Sequence, residues 1–202
     1  MGLWLADAPL ILASRSASRR AVLEGAAIAV EVLPADVDER AIEAGASDQT
    51  PGAIARILAR AKALSVAAQR PGRLVLGADQ TLALGARLFA KPADLAAAWA
   101  QLKVLRGATH ELHSALALVR DGAVLFEHCE TAALTMRDFS DRFLSSYIEA
   151  AGSAVTASVG GYQVEGAGIQ LFEQIAGDHF TILGLPLLPL LTYLRAEGHL
   201  AK

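Results

Sequence analysis

The chain has 202 residues, 53% of them hydrophobic, with mean hydropathy +0.38, which is enough for one sizeable core. A net charge of −3, a pI of about 5.9 and only 5% aromatic residues exclude the basic, aromatic-rich surface of a nucleic-acid binder. The single cysteine, Cys129, excludes an internal disulfide and a thiolate metal cage.

The apolar run Leu10-Ile11-Leu12 stops abruptly at Ala13-Ser14-Arg15-Ser16-Ala17-Ser18-Arg19-Arg20. This reads as a strand, a tight polar loop and a helix N-terminus. A helix start offers unpaired backbone N–H groups and partial positive charge. Serine hydroxyls and arginine forks add donors suited to phosphate oxygens, so the stretch is expected to hold a polyphosphate. Ser18 is predicted to cap a helix from Arg19 that turns Val22, Leu23 and Ala26 inward.

Val30-Glu31-Val32-Leu33-Pro34 reads as a second strand, followed by an acidic loop carrying Asp36, Asp38 and Glu39. Such a loop is either solvated or part of a hard-cation site, since such cations take one or two carboxylates plus substrate phosphates. Thr50-Pro51 starts a helix on which Ile54, Ile57, Leu58, Ala61 and Leu64 recur at helical spacing, until Pro71-Gly72. Arg56 and Arg60 fall opposite that stripe. Lys62 falls at its edge, where it either snorkels or reaches into a site.

Leu74-Val75-Leu76-Gly77-Ala78-Asp79 reads as a buried strand ending in an acid, with Gly77-Ala78 leaving space beside the carboxylate. Ligand sites of α/β sheets form at strand ends, which makes Asp79 the first functional candidate. Residues 82–88 read as a hairpin turning near Gly85, and Lys91-Pro92 leads into a helix over 94–105 closed by Gly107. Lys91 is a held lysine or a simple helix flank. Residues 111–119 and 124–134 form a hairpin about Asp121-Gly122. Ser140 caps a helix ending at Gly152, a glycine-rich loop runs from Gly160 to Gly168, and a strand is expected over 169–175. The loop matches neither the P-loop nor the dinucleotide fingerprint and reads as a lid or a tight turn. The five histidines lack zinc spacing and read as structural or surface residues, and Cys129 as core or strand filler.

The last helix is expected over 186–197. The apolar stretch 182–194 is interrupted by Pro186 and Pro189 and is too short to span a bilayer, so no membrane association is expected. No basic-apolar-small leader opens the chain, which points to the cytoplasm. Early alternation of strands and helices with hairpins in the middle argues an α/β protein with a mixed sheet, without internal repeats or a clear linker.

In order and spacing, these pieces resemble the Maf family of nucleotide pyrophosphatases from about Leu10 to Leu194. The matching stretches include residues 12–20, Pro34-Ala35-Asp36-Val37-Asp38-Glu39, Ala59-Arg60-Ala61-Lys62-Ala63 and Gly77-Ala78-Asp79-Gln80. Lys91-Pro92, Thr109-His110-Glu111, residues 161–168 and Gly184-Leu185-Pro186-Leu187 complete them. The resemblance implies one domain over 1–202, a highly twisted mixed sheet flanked by helices, and two lobes around a central cleft, as in inosine triphosphatases. It implies hydrolysis of a nucleoside triphosphate between the α and β phosphates, with a divalent cation (Mg²⁺ or Mn²⁺), commonly in a homodimer, and a link to septation. The alternative is a nucleotide-binding regulator of division without turnover.

By the same resemblance, Asp79 is the proton acceptor, and Glu39, Lys62 and Lys91 fall on other catalytic positions, with Glu39 and Asp79 toward the metal. Ser14, Ser16 and Arg19 fall on the phosphate loop. Ser18, Gln80 and Glu165 occupy positions tied to base preference. Members acting on dTTP and UTP usually carry Arg, Thr and Gln there. Gln80 and Glu165 look like the branch preferring 7-methyl-GTP, whereas Ser18 matches neither branch. Ala17 replaces a usual proline, and Ala157-Ser158-Val159-Gly160 stands where an Asp-Lys-Ala-Gly stretch is common.

Overall fold

The computed structural model describes residues 2–202. Among them, one seven-stranded mixed sheet contains β1 (Leu10–Leu12), β2 (Val30–Val32), β3 (Val75–Leu84), β4 (Arg87–Phe89), β5 (Thr109–Arg120), β6 (Ala123–Met136) and β7 (Phe172–Ala176). The strand order is β2-β1-β3-β5-β6-β7, with β4 added to β3. β1 runs parallel to β2 and β3, while β4 on β3 and β7 on β6 are antiparallel. The helices are α1 (Ala17–Gly25), α2 (Glu39–Gly45), α3 (Pro51–Ala67), α4 (Leu95–Leu105), α5 (Asp141–Ala151), α6 (Ala154–Ala157), α7 (His179–Ile182) and α8 (Leu187–Ala196). The expected mixed α/β class is what the chain adopts. None of the described helices is long and apolar enough to cross a membrane.

Packing groups the chain into two compact units. The first contains the described residues up to Gln80, Ser114–Glu130 and Asp178–Lys202; the second contains Thr81–His113 and Thr131–Gly177. In the first unit, strand alternation sends successive side chains to opposite faces. Leu10, Leu12, Leu76 and Leu118 pack with Val22 and Leu23 of α1 and with Leu187, Leu190 and Leu194 of α8. Ile11, Ala13, Val75 and Ala117 pack on Ala55, Ala59, Ala63 and Val66 of α3. The alanines on α3 let that helix lie close to the sheet. Each fully buried leucine on the opposite face contributes roughly 1.5–3 kcal/mol.

Several local expectations hold. The helix expected over 94–105 is α4, which starts one residue later because Asp94 caps it by accepting from Ala97 N at 2.7 Å, and Ser140 caps α5 as expected by accepting from Phe143 N at 3.1 Å. Asp121 (φ 50°) and Gly122 (φ 78°) form the two-residue turn between β5 and β6.

Three expectations are corrected. Helix α1 begins at Ala17 and its cap is Ser16, not Ser18: Ser16 is extended and its Oγ accepts from Arg19 N at 3.3 Å. The acidic stretch is a loop only as far as Asp38, whose carboxylate caps α2 by accepting from Ala41 N at 3.0 Å, so Glu39 is a first-turn helical residue. The expected strand 169–175 begins only at Phe172, and Ala167–Leu171 form a 3₁₀ turn instead. Ile169 and Leu171 mimic strand alternation, yet Ile169 is exposed and only Leu171 is buried.

Candidate active site

The loop between β1 and α1 is held by its own hydroxyls. Ser14, buried, accepts from Ser16 N at 3.2 Å and from Arg19 Nη1 at 3.2 Å. Two donors fill the acceptor capacity of a hydroxyl, so Ser14 is left with its own proton to give. Ser16 is committed to capping.

Arg19 turns most of its fork inward. Nε donates to Gly184 O at 2.8 Å, and Nη1 donates to Ala78 O at 2.9 Å as well as to Ser14. Gly184 has φ +90°, which favours glycine, and a Cβ there would sit tightly against Arg19 Nε at 3.2 Å. Arg19 therefore ties three segments of the first unit together through Nε and Nη1. Burial pulls the guanidinium below its ordinary value, opposed by the charges of Asp79 and Glu39.

Asp79 is buried on β3, but it does not end that strand, which continues to Leu84. What ends nearby is the parallel pairing: β1 is matched to β3 only at Ile11↔Val75 and Leu12↔Leu76. Asp79 thus lies past the C-terminal end of β1, where parallel sheets place ligands. The space that Gly77-Ala78 is expected to leave beside the Asp79 carboxylate is taken, at Gly77, by α3. A Cβ on Gly77 would stand 2.0 Å from Ala59 O and 2.7 Å from Ala63 N.

That close approach seats Lys62, between Ala61 and Ala63 on α3, against the carboxylate. Lys62 Nζ lies 2.5 Å from Asp79 Oδ1 and 2.7 Å from Glu39 Oε1. Position at the edge of the apolar stripe left two options for Lys62, and the side chain reaches inward: only 12% of it is exposed. Burial pushes the Asp79 carboxyl above its ordinary value; Lys62 and then Arg19 oppose this, and Glu39 adds to it. The net direction is upward because the carboxylate has lost nearly all its water.

Glu43, one helical turn after Glu39, was not singled out from sequence. Burial first, then the charges of Asp79 and Glu39, push its carboxyl up. The i,i+4 spacing from Glu39 was the available signal. Among the described residues no group of three or more His, Cys, Asp or Glu is arranged to hold a metal. Glu39 and Asp79 nevertheless already converge on one positive charge, the Lys62 ammonium. Two hard carboxylates with substrate phosphates suit Mg²⁺ or Mn²⁺.

Gln80, next along β3, is tied to the same unit. Its Nε2 donates to Ser114 Oγ at 2.9 Å and to the carbonyls of Thr181 and Ile182, both at 3.1 Å. Ser114 and Thr181 are buried polar residues that sequence reading passed over, because a lone serine in an apolar strand carries no motif.

The first unit thus gathers Ser14, Ser16, Ser18, Arg19, Glu39, Lys62, Asp79 and Gln80. Lys91 and Glu165, both exposed, belong to the second unit, Lys91 between β4 and α4 and Glu165 just before the 3₁₀ turn at Ala167–Leu171. In that unit the glycine-rich loop is anchored at Tyr162, whose hydroxyl lies 2.6 Å from His110 Nε2. Burial pushes His110 down to about 4, so it is neutral at pH 7, consistent with a structural residue. Cys129 packs against the α3 face, and burial raises its thiol, which suits a filler and not a nucleophile.

A family model described as "Maf-like protein" matches residues 9–197. A nucleoside triphosphate pyrophosphatase of Rhodopseudomonas palustris (strain HaA2) is 55% identical over 201 residues, covering 100% of both chains. One of that name from Bradyrhizobium diazoefficiens is also 55% identical over 201 residues, again covering 100% of both chains. A 7-methyl-GTP pyrophosphatase of Mesorhizobium japonicum is 53% identical over 191 residues, covering 94% of this chain and 96% of that one.

Proposed function

The chain belongs to the Maf family, and from that premise we propose that it hydrolyses nucleoside triphosphates between the α and β phosphates, releasing a monophosphate and pyrophosphate. The observation that carries this is the buried Asp79 held by Lys62, one residue after the Ala78 carbonyl that anchors Arg19 and, through it, Ser14. An acid of raised proton affinity thereby sits next to a loop built to donate hydrogen bonds.

In this reading the Ser14 hydroxyl, the N-terminal end of α1 and Arg19 bind phosphate oxygens. Lys62 keeps Asp79 ionised and adds positive charge. Asp79 orients a water and takes its proton as the water oxygen bonds to phosphorus and the α–β anhydride bond breaks. Glu39 and Asp79 would hold a divalent cation, Mg²⁺ or Mn²⁺, which when bound supplies charge compensation to the leaving pyrophosphate. Lys91 enters through the family resemblance.

The substrate leans to 7-methyl-GTP over dTTP and UTP. Support comes from residue type: guanine offers N–H donors that the acceptors of Gln80 and Glu165 suit, and N7-methylation adds a positive charge that Glu165 favours. The name of the Mesorhizobium relative points the same way. A homodimer and a link to septation rest on the family resemblance alone.

The test is a nucleotide panel with Mg²⁺ or Mn²⁺, assayed for pyrophosphate and monophosphate. Stoichiometric release of both is expected, with the highest kcat/KM for 7-methyl-GTP. Tight nucleotide binding without pyrophosphate would establish the regulator reading instead. A higher kcat/KM for dTTP or UTP would overturn the base preference while leaving the reaction standing.

A further inference from the structure

The Gln80 side chain meets three acceptors through a single nitrogen. Two are carbonyl oxygens, of Thr181 and Ile182 in α7, which have no proton to give. The third is the fully buried Ser114 Oγ, whose own proton is committed to Thr181 O at 2.7 Å. Turning the amide over would set its oxygen against two carbonyl oxygens and a hydroxyl already donating elsewhere. The chemistry of the partners therefore fixes which end of the amide is nitrogen.

The carbonyls are themselves held. Asp178 caps α7 by accepting from Thr181 N at 2.9 Å, and Thr181 Oγ1 donates to Glu130 Oε2 at 3.1 Å. All of these residues belong to the first unit. The lock is thus built from β3, β5, β6 and α7, and none of its members other than Gln80 falls on a family motif position discussed above.

We propose that Ser114 and the α7 carbonyls set the polarity of Gln80, so that it presents only its Oε1 to a bound nucleotide and favours purines that carry an N–H donor at N1 over those that do not. Ser114 is a positioning residue in this arrangement: it acts through Gln80 and does not touch the base. The inference rests on the reading that Gln80 faces the base. It goes beyond that reading by assigning the direction of the hydrogen bond. Guanine, with or without the N7 methyl, and hypoxanthine carry a donor at N1. N1-methylguanine and adenine do not, and their N1 edge leaves Oε1 unpaired.

The experiment has a binding arm and a turnover arm. In the first, the Gln80 side-chain NH₂ pair is followed by ¹⁵N-edited NMR on adding the α,β-methylene analogue of GTP, which needs no hydrolysis. Because the NH₂ faces protein, its proton shifts are expected to stay within the small range set by ring-current changes and to remain protected from exchange. Ser114→Ala is expected to move those same shifts in the free protein and to shorten their protection. A large shift of the NH₂ protons on binding, as for a donor touching the ligand, would overturn the lock.

In the second arm, kcat/KM is compared for GTP, ITP and 1-methyl-GTP. GTP and ITP are expected to exceed 1-methyl-GTP by about tenfold, the scale of one unpaired polar group. Gln80→Met should remove that difference. Ser114→Ala should narrow it through KM with kcat nearly held, whereas general destabilisation would lower all three substrates alike. If Gln80→Met leaves the discrimination intact, the base-facing reading itself fails. If Gln80→Met abolishes it and Ser114→Ala changes nothing in either arm, only the positioning role of Ser114 fails.

Discussion

Lys62 Nζ bridges two carboxylates, 2.5 Å from Asp79 Oδ1 and 2.7 Å from Glu39 Oε1. The two contacts are unequal in kind. Asp79 is buried with the lysine, whereas about half of the Glu39 side chain is exposed. The first pair lies in a poorly solvated setting, and the second is screened by water.

Substituting Asp79→Asn is expected to cut kcat by about 10²–10⁴, the usual range for a lost general base, while the fold survives. Lys62→Met should be the more damaging change for stability, by roughly 3 kcal/mol, because it strands a buried carboxylate. Denaturant unfolding beside pyrophosphate assays separates the two; equal destabilisation by both variants would contradict this account of the pair.

The upward displacement of Asp79 has opposite consequences for activity and for stability. As the proposed base, Asp79 would work only when ionised, so the acid limb of kcat/KM against pH is expected above the ordinary carboxylate value. For stability, a carboxyl raised in the folded state favours the protonated form. Its cost is therefore present above the folded value and fades as pH falls toward the unfolded value. A pH–rate profile whose acid limb falls at ordinary carboxylate pH would refute the assignment.

His110 provides the contrary pH effect in the second unit. Held neutral down to about 4, it must take up a proton on unfolding at any pH between that value and its ordinary 6.5. Folding stability should therefore decline as pH falls through that window, by up to ~1.4 kcal/mol per unit from this group. Unfolding midpoints of wild type and His110→Phe against pH should show that slope lost in the variant.

Arg19→Lys should weaken the protein more than a like-charge exchange suggests. A single ammonium cannot reach Gly184 O, Ala78 O and Ser14 Oγ together in the directions the guanidinium uses. The expected loss is about 2–3 kcal/mol with a raised KM, read by thermal unfolding and steady-state kinetics. Gly184→Ala should echo part of it, from the positive φ and the 3.2 Å approach to Nε.

Gly77→Ala tests why Lys62 and Asp79 meet. With Ala59 O 2.0 Å from the added Cβ, α3 must move off β3. Both stability and turnover should fall, with kcat affected more than KM. A variant with normal turnover would show that the α3–β3 spacing does not govern activity through the Lys62–Asp79 pair.

Sequence by itself determined the elements whose signals are local. The break from Leu10-Ile11-Leu12 into serines and arginines marks a strand, a loop and a helix start, because apolar runs and capping hydroxyls act over a few residues. It also identified Asp79, Glu39 and Lys62 as candidates by residue type and family order. Tertiary structure decided what those groups do to one another. Arg19 reads as a phosphate ligand in a basic stretch, but carbonyls from β3 and the segment before α8 claim most of its fork. Gly77 suggests open space, but α3 packs into it. Ser114 carries no signal in a string of apolar neighbours, yet together with α7 it fixes the amide of Gln80. Hydrogen-bond partners far apart in the chain, and the approach of a helix to a strand, depend on how the backbone closes on itself, and no local pattern of residues encodes that closure.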